Sequence, residues 1–85
     1  MKKKFFSRSN EVIKVLSEFL KIDKLEIQLN AKLIEDLGFD SIDFIEVFTR
    51  LNEIQNLKGH EEEIANLKTV EDILKLMEKA QNAQY

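Results

Sequence analysis

The 85-residue sequence contains no cysteine, no proline, no tryptophan and only two glycines. Without cysteine it has no disulfide, no thiol nucleophile and no Cys-ligated zinc or iron–sulfur centre. A single histidine, His60, rules out a His-rich metal site. The scarcity of helix breakers, beside abundant Leu, Ile, Lys and Glu, points to helices. No apolar run approaches the ~20 residues that a membrane-spanning helix requires. Lys2-Lys3-Lys4 opens like the charged part of a signal peptide, but Ser7 and Arg8 follow directly on Phe5 and Phe6, so the apolar stretch is missing. Residues 1–8 therefore read as a basic, flexible N-terminus, and the expected compartment is the cytoplasm.

What is present suffices for one small domain. The hydrophobic fraction of 44% supports a core, and the length allows no second domain. The net charge of −3 is unevenly spread. Residues 1–34 carry eight Lys/Arg against four Asp/Glu, a balance of +4; residues 35–85 carry five against twelve, a balance of −7. An acidic body repels nucleic acid and attracts basic protein surfaces.

Four helical patterns organise residues 9–81, with 82–85 as a C-terminal tail. The first spans Ser9 to Ile22, with Val12, Ile13, Leu16, Phe19 and Leu20 on one stripe and Ser9 or Asn10 as its cap. The second spans Asp40 to Gln55. Val47, Phe48, Leu51 and Ile54 form its core stripe, Asp40 is its N-cap, and Gly59 marks its stop region. The third is a short stretch from Glu61 to Leu67, anchored by Ile64 and Leu67. The fourth runs from Val70 to Ala80, with Thr69 and Asp72 in a capping-box arrangement and Val70, Ile73, Leu74, Met77 and Ala80 facing inward. Leu25-Glu26-Ile27-Gln28-Leu29 alternates like a strand but has no second strand to pair with. The segment 23–39 is therefore expected to be a long loop pinned across the bundle by its Leu and Ile side chains. The expected fold is all-α, an antiparallel-type four-helix bundle with a long first loop and a short third helix.

Ser41 follows the Asp40 cap and falls in the first turn of the second helix. Free N–H groups and the positive end of the helix dipole favour a phosphate there. Gly38 permits a tight turn just upstream. Asp36, Asp40, Asp43 and Glu46 surround the same end. No base stands near Ser41 in sequence and no G-x-S-x-G motif encloses it, so a nucleophilic enzyme is a poor reading. A serine modified by another protein fits better.

The run Leu33-Ile34-Glu35-Asp36-Leu37-Gly38-Phe39-Asp40-Ser41-Ile42-Asp43-Phe44-Ile45-Glu46 resembles the attachment motif of acyl carrier proteins. The chain length and helix order extend the resemblance over about residues 10–80. The resemblance implies phosphopantetheine, derived from coenzyme A and attached covalently to Ser41. It implies acyl groups carried as thioesters for fatty acid or related acyl biosynthesis, by a monomer that is a substrate of enzymes rather than an enzyme. The expected partners are a phosphopantetheinyl transferase and acyl-transferring or acyl-elongating enzymes with basic patches. Recognition is expected at Asp36, Asp40, Ile42, Asp43, Ile45 and Glu46, and by the transferase at Asp40, Ile42, Asp43 and Glu46. No nucleic acid, metal or membrane span is expected.

Ile42 and Ile45 could be peripheral core residues, the carboxylates and Glu61-Glu62-Glu63 a solvated face, and His60 a plain surface residue. An aminoacyl, peptidyl or polyketide carrier, or an unmodified helical adaptor for basic partners, are the alternative functions. Asn56-Leu57-Lys58-Gly59-His60 stands where many family members have a Pro-containing segment, and Arg50 and Lys58 interrupt the acidic region. Phe39, Phe44 and Phe48 make the neighbourhood unusually aromatic. Phe48, if core-facing, is expected to restrict the space for a buried acyl chain.

Overall fold

The computed structural model describes residues 9–82. The basic segment 1–8 and residues 83–85 of the tail lie outside them. Four α-helices follow in order: α1 Ser9–Leu20, α2 Ser41–Ile54, α3 Glu61–Ala65 and α4 Val70–Asn82, with one 3-10 turn at Lys24–Glu26.

α1 ends two residues before the sequence pattern suggests. Lys21 adopts a left-handed conformation (φ 61°), and the N–H groups of Lys21 and Ile22 both bond the Ser17 carbonyl. Such a stop usually falls to glycine, because a Cβ is strained there. Asn10 lies within the helix rather than at its cap. α2 begins as expected at the Asp40 cap but stops at Gln55; Gly59 (φ 92°) sits in the later turn that enters α3. α3 closes at Ala65, two residues early, with no buried residue of its own, so packing gives it little reason to continue. α4 opens on the expected Thr69–Asp72 box. Asp72 N donates to Thr69 Oγ1 (3.2 Å) and Thr69 N donates to Asp72 Oδ2 (3.1 Å). It continues to Asn82, two residues beyond the expected end.

The core is built from the predicted stripes. Val12, Leu16, Val47, Leu51, Val70, Ile73, Leu74 and Met77 are essentially water-free, and Leu33 joins them from the loop. At about 1.5–3 kcal/mol per fully buried aliphatic side chain, α4 is the most firmly held helix. α1 runs antiparallel to α2: Phe19 meets Phe39 at one end, while Glu11 and Ile54 flank one groove near the other. α4 runs alongside α2 in the same direction, because its start bonds the loop at Leu29 and Ala31 and its end accepts Gln55 Nε2 at the Ala80 carbonyl (3.4 Å). The short α3 carries the chain back between them. Gln55 is a buried polar residue of the core, one that the apolar stripe of α2 does not announce.

Leu and Ile side chains pin the long loop as expected, though not all of them take part. Leu25 is 92% exposed and Leu29 40% exposed. Asp23 caps the 3-10 turn through Leu25 N (2.9 Å), which breaks the strand-like alternation and turns Leu25 outward. Leu33, Phe39 and, in part, Ile27, Ala31 and Leu37 hold the loop instead. Its main chain is tied to the approach to α4. Leu33 N bonds Lys68 O (2.8 Å), Val70 N bonds Ala31 O (3.1 Å), and Lys32 and Thr69 form an isolated antiparallel bridge. These bonds satisfy backbone groups that a helix or sheet would otherwise pair.

Candidate functional site

The turn before α2 sets the site. Gly38 N bonds Ile34 O (3.1 Å) and Phe39 N bonds Leu33 O (2.9 Å), closing the chain back on itself. Gly38 has φ 75°, and a Cβ there would meet nothing within 4 Å. Glycine therefore serves the backbone conformation rather than a tight space. Phe39 buries its ring, and Asp40 is fully extended (φ −122°, ψ −173°) before the helix starts.

Asp40 and Asp43 form a reciprocal capping box. Asp43 N donates to Asp40 Oδ1 (2.9 Å) and Asp40 N donates to Asp43 Oδ2 (3.0 Å). The box locks the first turn and presents Ser41, its first helical residue, to solvent. It also engages two carboxylates expected at the docking surface, Asp40 and Asp43. Asp36 is engaged too, its Oδ2 accepting from Lys32 N (2.9 Å). Glu46 is exposed and has no ion pair among the described residues.

Ile42 and Ile45 lie three residues apart and are 65% and 67% exposed. They are not peripheral core. Phe44, between them in sequence, turns inward onto Phe39 (ring centroids 5.2 Å) and Phe48 (6.3 Å, stacked). The first turns of α2 thus show an isoleucine pair with carboxylates beside it on the outside and an aromatic row within. Phe48 is core-facing, only 7% exposed. Arg50 does not stand free in this surface, since it bonds Glu18 of α1 at 3.1 Å.

His60 is not a plain surface residue. It is half-buried, and its Nδ1 lies 2.5 Å from Glu63 Oε1. Glu63 also pairs with Lys79 of α4. The Lys79 hydrogen bond, followed by the His60 one, holds the Glu63 carboxyl below its ordinary value. The i, i+3 spacing of His60 and Glu63 was the available signal; Lys79 could be found only from the packing of α3 on α4. Among the described residues, no three His, Asp or Glu side chains converge as metal ligands, and no helix is long and apolar enough to cross a membrane.

Comparison with known proteins shows the family of the chain. The family model described as the phosphopantetheine attachment site matches residues 10–77. An acyl carrier protein of Phytoplasma mali is 38% identical over 64 residues, covering 75% of this chain and 76% of the relative. The chain belongs to the acyl carrier protein family. A second acyl carrier protein, from Wolinella succinogenes, is 32% identical over 69 residues, covering 81% of this chain and 91% of the relative. The fold of this carrier also matches a solved Mycobacterium tuberculosis structure assigned as an acyl carrier protein. The TM-score is 0.73 at 23% identity, over 93% of this chain and all of the other.

Family membership brings a covalently attached phosphopantetheine as the prosthetic group. The residues at the head of α2 fit a phosphodiester. The Ser41 hydroxyl is exposed, the two nearest carboxylates are turned to the backbone by the capping box, and the helix end is electropositive.

Proposed function

We propose that Ser41 is the attachment residue and that residues 9–81 act as a discrete carrier domain for fatty acid or related acyl biosynthesis. The observation that carries this reading is the exposed hydroxyl at the first residue of a capped α2, inside the segment matched by the attachment-site family. The arm supplies a thiol on which acyl groups are held as thioesters. The chain's own task is to present that arm and to be recognised. The capping box keeps the serine at a fixed place on a rigid turn. Tethering keeps the cargo at high local concentration near a docked partner.

Docking falls on the same helix. Ile42 and Ile45 are small apolar anchors that a partner can desolvate, and Glu46 is a free carboxylate beside them. Asp36, Asp40 and Asp43 contribute negative potential even while their oxygens accept backbone bonds. Such a surface steers the carrier onto Lys/Arg patches of a phosphopantetheinyl transferase and of acyl-transferring enzymes. It acts as a monomeric substrate of these enzymes.

Incubation with coenzyme A and a broad-specificity transferase tests the proposal by intact mass. One phosphopantetheine is expected on the parent chain and none on Ser41→Ala. No addition with several transferases points instead to an unmodified adaptor.

A further inference from the structure

A groove of about 560 Å³ lies between the loop at 32–35 and the segment 65–69. Ile34, Ala65 and Leu67 give it apolar surface, and Lys32, Glu35 and Lys68 bring charge to its lining. Ile34 is 61% exposed. The two walls are fixed to one another by the Lys32–Thr69 bridge and the Leu33–Lys68 bond. Lys32 N is held by Asp36 Oδ2 (2.9 Å) and Lys68 N by Asp72 Oδ2 (3.0 Å). The main chain of each lysine is thus anchored by a carboxylate. Their ammonium groups have no ion pair among the described residues, although the body of the domain is acidic.

The groove adjoins the attachment turn. Ile34 O accepts from Gly38 N, and Ser41 follows Gly38 by three residues of largely extended chain, about 10 Å at most. Aromatic rings line the inner side of α2. Phe19, Phe39, Phe44 and Phe48 form a continuous row, with successive centroids 5.9, 5.2 and 6.3 Å apart. An apolar chain entering there must displace packed rings, whereas the groove is open.

We infer that this groove receives the free end of an acyl cargo bearing a second carboxylate, held between Lys32 and Lys68 over the Ile34–Leu67 surface. This rests on attachment at Ser41. Charge complementarity selects the occupant. A methyl-terminated chain gains nothing from two ammonium groups, while a carboxylate gains two charge-assisted contacts. Glu35 opposes it weakly from the same lining.

The test loads the full chain from two coenzyme A thioesters of equal length, one of a monocarboxylic and one of a dicarboxylic acid. Intact mass first establishes loading. The dicarboxylic cargo is expected to melt about 1–4 °C higher than its partner. That difference should shrink with added salt, vanish in the Lys32→Ala/Lys68→Ala double variant, and grow in Glu35→Gln. Both lysines are exposed and anchored through their N–H groups, so the double variant is expected to fold. Shifts of the Ile34 methyl resonances should follow the same order. Equal melting of the two loaded forms, or a difference that survives in the double variant, overturns the groove assignment alone. Failure to load on Ser41 removes the attachment reading, and the groove assignment with it.

Discussion

Lys21 carries a cost that its side chain does not repay locally. Its left-handed conformation ends α1, and its side chain is exposed. A non-glycine residue there is strained by about 1–2 kcal/mol, partly offset because glycine is more flexible in the unfolded chain. Lys21→Gly is therefore expected to stabilise the domain by about 0.5–1 kcal/mol, read as a higher urea midpoint at unchanged slope. An unchanged or lower midpoint refutes the strain argument. At this same scale the sequence was most informative about caps. Asp40 and Thr69 stand where their spacing to Asp43 and Asp72 puts them, since a cap needs only three residues of local context. Lys21 shows the opposite case. Nothing in its chemistry announces a left-handed residue, and Gly59, which does, ends no long helix.

Among the elements, α3 depends most on its electrostatic ties. Five residues with none buried make a poor helix alone. Glu63 holds it, bonding back to His60 and across to Lys79 of α4. Because the Glu63 carboxyl is held below its ordinary value of 4.5, the folded state prefers the charged form. The stability this gives is complete above the unfolded value and disappears as pH falls through the folded one. The parent should accordingly be more stable than Glu63→Gln at about pH 6, and the gap should narrow as acid protonates the carboxyl, in parallel urea titrations. A gap independent of pH contradicts the assignment. The contrast between α3 and α4 explains how much of each was legible. α4 shows five inward positions at helical spacing, enough to fix its start and direction. α3 shows two, too few to fix its end, which Asn66 closes by bonding the Glu62, Glu63 and Ile64 carbonyls.

At the scale of the molecule, the aromatic row joins α1, the turn before α2 and α2 itself into one unit. Phe48 is its innermost ring on α2, next to the buried Val47 and Leu51 in the stripe. Phe48→Ala is expected to cost about 3–5 kcal/mol, a large share of the ~4–13 kcal/mol typical of a domain this size. Phe48→Leu should cost less. If the row is what excludes cargo from the interior, a long alkyl thioester should stabilise Phe48→Ala more than it stabilises the parent. Thermal melts of both loaded proteins measure the difference. Equal shifts would mean that Phe48 does not limit the interior.

The helices with strong stripes, the capped start of α2, the place of Ser41 at its head and the likeness to acyl carrier proteins all follow from the order of residues. These are local facts, since periodicity and capping act over a few residues. Tertiary structure decided the rest. It turned Leu25 outward because a 3-10 turn intervened. It left Ile42 and Ile45 exposed by turning Phe44 inward, and it drew Glu63 onto α4. It also brought Lys32 and Lys68, 36 positions apart, to one groove near the turn before α2. The absence of cysteine, which first looked like an absence of chemistry, was a matter of sequence alone. Where a borrowed thiol's cargo can rest depends on which side chains the fold has already placed in contact.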